Sequence, residues 1–194
     1  SNIYVGLFKK KSMIKIAIFA SGSGTNAENI IQYFKAHPHI QVSLILSNKS
    51  DAYVLERAKN HSIPYFIFTN TELKETDKVL GKLVQEEIDF IVLAGFMRLM
   101  PTEIIQRYAN KILNIHPALL PKYGGKGMYG DFVHQAVVAA NEKESGITIH
   151  YVNEQYDEGQ IVFQATCVVE NTDGPSEVAA KVHALEYEHF PRII

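Results

Sequence analysis

The stretch Ile112–Pro121, which reads I-L-N-I-H-P-A-L-L-P, decides both the fold and the candidate site of this chain. Its first residues have the apolar pattern of a short buried strand, and Pro117 ends that strand. Asn114 and His116 alternate with the apolar residues, so we expect both side chains to leave the strand on one face at its carboxyl end. In an open α/β sheet this end borders the ligand crevice, although a capping asparagine and a core histidine would give the same pattern.

The composition is typical of a globular protein with a sizeable core. The chain has 194 residues, 46% of them hydrophobic, and a net charge of -2, so it offers no basic surface for nucleic acid or for a membrane. No apolar run approaches the roughly 20 residues that cross a bilayer. Cys167 is the single cysteine, which excludes an intramolecular disulfide and a cysteine-based metal site. We therefore expect a reducing, cytoplasmic setting.

Apolar strands and amphipathic helices alternate from Met13 onward, after twelve residues that we interpret as a leader or tag ahead of one domain at 13–194. The pattern predicts strands at 14–20, 42–46, 65–68, 90–94 and 112–116, and helices at 26–36, 52–60, 72–87 and 101–108. This β-α-β rhythm predicts an α/β protein with a parallel sheet. A helix at 131–141, antiparallel strands at 146–152 and 161–169, and a final helix from about Ser176 complete the prediction.

The loop after the first strand, A-S-G-S-G-T-N at 20–26, is a candidate phosphate site. Glycines let backbone amides turn towards a ligand, and the following helix presents the positive end of its dipole. The loop matches neither G-x-x-x-x-G-K-[ST] nor G-x-G-x-x-G, and a tight turn capped by Thr25 or Asn26 is the alternative. We favour phosphate binding by Gly24, Thr25 and Asn26. In the loop after the second predicted strand, Lys49 either contacts the phosphate or is solvated, with Asp51 capping the next helix.

Two further stretches can line a pocket at the same edge of the sheet. In L-A-G-F-M-R-L-M, at 93–100, core packing explains most of the large apolar residues and is the preferred interpretation for Phe96. For the others, a slot for a flat, partly apolar ligand is the alternative. In Q-Y-D-E-G, at 155–159, the Asp157 carboxylate can face His116 and raise the pKa of the imidazole, although turn chemistry alone also explains an aspartate there. His150 either lines this site or is structural.

His183 and Glu186 are three residues apart on the final helix and therefore share a face. Together they can hold an amine or a sugar hydroxyl. An ordinary solvated helix face is the alternative.

These stretches, taken together, resemble the folate-dependent glycinamide ribonucleotide formyltransferases of purine synthesis. The resemblance rests on five motifs in the family's order and spacing: S-G-S-G-T-N, S-N-K-S-D-A-Y-V-L-E-R-A, L-A-G-F-M-R-L-M, I-L-N-I-H-P-A-L-L-P-K and Y-D-E-G-Q-I. It covers nearly all of residues 14–194. It implies a Rossmann-like formyltransferase fold, 10-formyltetrahydrofolate as donor and 5-phosphoribosylglycinamide as acceptor.

The resemblance also implies roles for individual residues. Asn114, His116 and Asp157 match the catalytic residues of the family. The acceptor site corresponds to Gly24, Thr25, Asn26 and Glu186, with His183 where some members have another polar residue. The folate site corresponds to Met97, Arg98, Leu99, Met100, Asn114, Asn153, Glu154, Gln155, Tyr156 and Asp157. No metal is implied, the partners are small molecules, and the chain is expected to be a monomer or homodimer.

The sequence departs from the family between Tyr123 and His134, where it is longer than some members, so we assign no site residue there. Three rival functions share parts of the pattern. A 10-formyltetrahydrofolate hydrolase carries an extra N-terminal domain, which does not fit ahead of Met13, and a methionyl-tRNA formyltransferase lacks this phosphate loop. A non-catalytic nucleotide-binding module has no need of the three catalytic residues.

Overall fold

The computed structural model describes residues 12–155 and 157–194, so nearly all of the expected leader, and Tyr156 of the expected folate site, lie outside the described residues. The strands are β1 (Ile14–Phe19), β2 (Ile40–Ser47), β3 (Tyr65–Ile67), β4 (Phe90–Leu93), β5 (Ile112–His116), β6 (Glu144–Tyr151) and β7 (Ile161–Val168). The helices are α1 (Thr25–Phe34), α2 (Val54–Asn60), α3 (Asn70–Glu75), α4 (Lys78–Gln85), α5 (Thr102–Arg107), α6 (Asp131–Ala139) and α7 (Pro175–Ile193).

The strands form a single mixed sheet in the order β3-β2-β1-β4-β5-β6-β7. The first five strands run parallel, whereas β6 is antiparallel to both β5 and β7. The predicted α/β architecture, with its C-terminal antiparallel extension, is therefore confirmed. The winding direction changes between β1 and β4, and ligands of such folds bind outside the carboxyl ends of the strands at this switch point.

Both faces of the sheet are covered by helices, and each face has its own apolar core. Alternate residues of β1 divide between the two: Ile16 and Ile18 pack on one face, Ala17 and Phe19 on the other. The first core is completed by buried residues of α1, α2, α6 and α7, and the second by residues of α3, α4 and α5. The carboxyl edge between the two helical layers is thus left for the loops that carry the candidate site.

The prediction of one helix at 72–87 is wrong, because the chain forms α3 and α4 with a break between them. Thr76 at the break is extended, with φ -133° and ψ 169°. Its hydroxyl donates to the Glu72 carbonyl at 2.6 Å and accepts from the Lys78 amide at 3.3 Å. Such side-chain hydrogen bonds compete with the backbone hydrogen bonds of a helix. The helix therefore breaks at Thr76, although the apolar periodicity of the sequence continues through it.

The other element boundaries agree with the prediction to within two residues. The N-cap residues of α1 and α2, however, differ from those that the sequence suggested. Gly24 stands at the N-cap of α1 and Tyr53 at that of α2, neither of them with a side-chain capping bond, so Asp51 does not cap α2. None of the helices in the described part of the chain has the length and apolar character that a membrane span needs.

Gly146 on β6 occupies a position with no room for a side chain. A Cβ atom there would lie 1.9 Å from the Ala165 carbonyl oxygen on β7 and 2.8 Å from the Leu119 side chain. Because Leu119 belongs to the stretch that follows β5, this close approach seats that stretch against the antiparallel part of the sheet.

We expect Gly146→Ala to destabilise the protein by about 1–3 kcal/mol, because the methyl group must displace backbone atoms. In a domain of this size that loss lowers the Tm by roughly 2–4 °C per kcal/mol, which calorimetry measures. Gly81→Ala is the matched control: Gly81 lies in α4, its added Cβ meets nothing within 4 Å, and the change should stabilise the helix. A Tm for Gly146→Ala at or above that of the wild type would contradict the packing argument.

Candidate active site

His116 stands at the end of β5, where its ring is only 3% exposed. Its Nε2 donates to the Tyr123 carbonyl at 2.6 Å, and its Nδ1 lies 3.5 Å from Oδ2 of Asp157. A carbonyl oxygen can only accept, so Nε2 carries a proton. Both ring nitrogens therefore face acceptors, which is the arrangement that suits a doubly protonated imidazolium.

Asp157 reaches His116 from the connection between β6 and β7. Its Oδ2 accepts the Gly125 amide at 3.1 Å, and its Oδ1 lies 3.6 Å from Nε2 of His150. Burial acts to raise the pKa of Asp157, but the contact with His150, the charge of His116 and the Gly125 amide together lower it. The carboxylate is therefore held in its charged form next to the imidazole.

The pKa of His116 departs from the sequence-based expectation. We expected Asp157 to raise it, but burial lowers the pKa of His116 by more than Asp157 and the Tyr123 carbonyl raise it. Asp157 thus has the expected effect, but the net direction is downward because the imidazole is buried as well as paired. The resting ring is accordingly neutral near pH 7, with acceptors in place for the charged form.

Asn114 precedes His116 on the same strand face, and the structure pairs its amide with His150. Nδ1 of His150 donates to the Tyr151 carbonyl at 3.0 Å, which leaves Nε2 to accept from Nδ2 of Asn114 at 3.1 Å. His150 is thus both buried and part of the site. Its hydrogen bond fixes which way the Asn114 amide points.

The loop before α1 has the shape expected of an anion site. Gly24 has φ +71°, and a Cβ atom there would lie 2.4 Å from the Val54 side chain of α2. Nε of Arg57, also on α2, donates to the Ser23 carbonyl at 2.7 Å. Because no side chain caps α1, its first amides stay open to a ligand.

Glu186 of α7 lies beside this loop, and its side chain is almost fully buried. Nδ2 of Asn26 donates to the Glu186 carboxylate in a short hydrogen bond, and Nδ1 of His183 lies 3.4 Å from it. The hydrogen bond with Glu186 raises the pKa of His183. The solvated-face alternative for α7 is therefore excluded at Glu186. The Asn26 side chain is engaged by that carboxylate, so only the backbone of Asn26 stays open to a ligand.

The 93–100 stretch is divided between pocket and core. Met97 and Leu99 are each 41% exposed, whereas Met100 is buried in the second apolar core. The ring of Phe96 packs edge-on against Phe19 at a centroid distance of 5.2 Å, consistent with core packing there. Oγ of Ser21 accepts the Met97 amide at 3.0 Å, which ties this stretch to the phosphate loop.

One cavity of about 620 Å³ joins these features. The candidate residues that line it are Gly24, Thr25, Asn26, Met97, Arg98, Leu99, Met100, Asn114, His116, Gln155, Asp157, His183 and Glu186. Asn153 and Glu154 lie outside its lining. Sequence reasoning left open or missed other lining residues, namely Lys49, His150, His134 and the glycine-rich segment 125–131. The repeated glycines of that segment were the available signal. Among the described residues, no group of three or more His, Cys, Asp or Glu side chains is arranged to hold a metal ion.

Comparisons with known proteins identify the family. The sequence matches the formyl transferase family over residues 14–194. It is 40% identical over 187 residues to the phosphoribosylglycinamide formyltransferase of Haemophilus influenzae, covering 94% of this chain and 86% of that protein. It is 37% identical to the chloroplastic enzyme of Arabidopsis thaliana, covering 93% of this chain and 64% of that longer protein.

Solved structures agree with the sequence comparisons. The phosphoribosylglycinamide formyltransferase of Bacillus halodurans superposes with a TM-score of 0.83 at 38% identity, over 92% of each chain. The glycinamide ribonucleotide transformylase 1 of Geobacillus kaustophilus gives a TM-score of 0.85 at 33% identity, over 93% of this chain and 96% of that one. The chain therefore belongs to the phosphoribosylglycinamide formyltransferases, the formyl-transferring enzymes of de novo purine biosynthesis.

Proposed function

We propose that this chain moves the formyl group of 10-formyltetrahydrofolate to the amine of 5-phosphoribosylglycinamide, and that Asn114, His116 and Asp157 carry the reaction. The observation behind this assignment is the convergence of the three side chains at the end of β5, in the cavity that also contains the phosphate-type loop. The acceptor's own amine is the nucleophile, so no nucleophilic side chain is required.

The reaction must stabilise a tetrahedral intermediate with a negative oxygen. The amine nitrogen bonds to the formyl carbon, the carbonyl oxygen takes up the displaced electron pair, and the nitrogen becomes cationic. An amide N–H of Asn114 that is not used by His150 is available to that oxygen. One such donor is worth on the order of 3 kcal/mol in other acyl-transfer sites.

His116 and Asp157 handle the proton. In the neutral His116 ring the nitrogen that can accept a proton is Nδ1, which faces Asp157. The proton of the attacking nitrogen therefore reaches Nδ1 through a water held by Asp157, and it returns by the same route to the folate nitrogen as the old C–N bond breaks. Asp157 and the Tyr123 carbonyl stabilise the imidazolium that forms in between. Because the Tyr123 carbonyl holds Nε2–H without substrate, the substrate oxygen must replace it for His116 to donate to the intermediate.

The two substrates occupy the two sides of the cavity in this proposal. The acceptor phosphate binds the backbone amides at Gly24–Asn26, and Glu186 with His183 binds the portion nearer the amine. The folate lies along the exposed side chains of Met97 and Leu99, towards the connection that carries Asp157.

The activity is tested by mixing the protein with 10-formyltetrahydrofolate, with and without phosphoribosylglycinamide, and following the free folate by absorbance. We expect release that depends on the acceptor and yields the formylated acceptor. Release without the acceptor would instead indicate a hydrolase, and no release would indicate a binding module.

We expect Asn114→Ala to lower kcat by about 10²–10³, as for an oxyanion donor, and His116→Ala and Asp157→Ala by about 10²–10⁴, as for acid–base groups. Steady-state kinetics measures the effect, and circular dichroism checks that each variant is folded. Glu158→Ala is the matched control for Asp157, since Glu158 is the exposed neighbouring acid. Wild-type turnover in any of the three variants would remove that residue from the proposal.

We expect Asp157→Asn to lower the pKa of His116 further, because the Asp157 charge is the largest influence that raises it. An NMR titration of the His116 ring proton measures this shift, with Glu158→Gln as the control for charge in the same loop. A pKa that stays constant or rises in Asp157→Asn would show that the carboxylate does not stabilise the imidazolium.

Gly24→Ala should raise the KM for the acceptor by about tenfold to a hundredfold, because a Cβ at φ +71° would overlap Val54 and displace the loop. The KM for the folate donor should change little. Gly81→Ala is the control, since Gly81 lies in α4 away from the cavity lining and its added Cβ meets nothing within 4 Å. An unchanged acceptor KM in Gly24→Ala would move the phosphate away from this loop.

A further inference from the structure

The cavity wall beside Glu186 contains two buried polar atoms that have no partner. In the described residues, five buried side-chain atoms lack a hydrogen bond, and two of them, Oδ1 of Asn26 and Nδ1 of His134, belong to residues that line the cavity. Buried polar groups are nearly always paired, because leaving one unpaired weakens folding. Two such atoms in one wall indicate that a ligand supplies the missing partners.

His134 projects into this wall from α6. Its ring is 3% exposed and lies edge-on to the ring of His183, with centroids 6.3 Å apart. Through His183 it adjoins the Glu186 carboxylate, and it lines the same cavity as His116. His134 is thus buried in the protein but placed against the space that a substrate would fill.

The protonation state of His134 suits hydrogen bonding to a neutral group. Burial lowers its pKa, and His183 lowers it further, so the ring is neutral near pH 7 and has one donor and one acceptor nitrogen. A neutral imidazole, a carboxylate and an amide oxygen side by side are a set that binds sugar hydroxyls. Asn26 of the proposed phosphate loop bonds Glu186 in this wall, and His116 lines the same cavity, so the wall belongs to the proposed acceptor site.

We propose that His134 is a substrate-binding residue of this enzyme and hydrogen-bonds a ribosyl hydroxyl of the acceptor, next to Glu186 and Asn26. This inference rests on the proposed function for the identity of the acceptor. It assigns a role to His134, which directly follows the segment 124–133 in which the sequence alone gave no site residue.

A purely structural histidine makes the opposite prediction for stability. If Nδ1 of His134 has no protein partner, replacing the ring by an apolar one removes no hydrogen bond from the free protein. We therefore expect His134→Phe to leave the Tm unchanged or to raise it, while acceptor binding weakens. A structural role predicts a lowered Tm with unchanged affinity.

The first experiment measures acceptor binding without donor, by titration calorimetry on the full chain. We expect His134→Phe to raise the Kd for phosphoribosylglycinamide about tenfold, as for one lost hydrogen bond, and His134→Asn, which keeps a polar atom near Nδ1, to raise it less. His39→Phe is the matched control, since His39 is exposed and lies just ahead of β2, at the amino edge of the sheet. An unchanged Kd in His134→Phe would overturn the inference.

The second experiment identifies the group on the acceptor. Analogues that each lack one ribosyl hydroxyl are titrated into the wild type and into His134→Phe. One analogue should bind the wild type more weakly and lose nothing further in His134→Phe, because the contact is already absent. If His134→Phe weakens every analogue by the same factor, no ribosyl hydroxyl is the partner and the inference fails.

The outcomes separate this inference from the proposed function. A wild type that binds the acceptor but transfers no formyl group would refute the proposed function while leaving the His134 contact measurable. A wild type that transfers the formyl group, together with a His134→Phe variant of unchanged acceptor KM and Kd, would refute the His134 contact alone.

Discussion

The site depends on a single buried hydroxyl, that of Thr148, which holds the chain in place after β5. Thr148 is the register partner of His116 across β5 and β6. Its hydroxyl donates to the Ala118 carbonyl at 2.7 Å and accepts the Leu120 amide at 3.0 Å. Nε2 of Gln164 on β7 completes the network, donating to Thr148 at 2.9 Å and to the Leu120 carbonyl at 3.0 Å. The antiparallel strands therefore turn the chain back so that the Tyr123 carbonyl meets His116.

The electrostatics of the site follow from how burial and charge compete at each group. Burial dominates at His116 and His134 and keeps both rings neutral, whereas pairing with Glu186 dominates at the half-exposed His183. Burial acts to raise the pKa of Asp157, but the contact with His150, the positive charge of His116 when it is protonated and the Gly125 amide lower it, so the carboxylate stays charged. The reaction centre thus combines a neutral proton acceptor with a fixed negative charge, which is what a transient imidazolium requires.

The sequence predicted those parts of the molecule that depend on local patterns. Strand periodicity placed Asn114 and His116 at the carboxyl edge, and the glycines before α1 located the turn at Gly24. It did not predict the break at Thr76, where a side-chain hydroxyl competes with the helix. Nor did it predict the Asn26–Glu186 hydrogen bond, which joins residues 160 positions apart. Contacts of that range, like the burial that lowers the His116 pKa, exist only once the chain is folded.

The last helix completes the side of the cavity that we propose for the acceptor, so that side cannot form from the sheet alone. Glu186 binds Asn26, the Tyr187 hydroxyl donates to Oγ1 of Thr25 at 3.0 Å, and the Tyr187 carbonyl accepts Nδ2 of Asn29 at 2.8 Å. These contacts all join α7 to the first turns of α1, whose first amides form the proposed phosphate site. The Glu186 carboxylate and the loop before α1 are therefore fixed to each other. The packing of α7 on α1 thus sets the distance between the two groups that we propose to bind the acceptor. His134 on α6 belongs to the same arrangement, since its ring packs against His183 of α7.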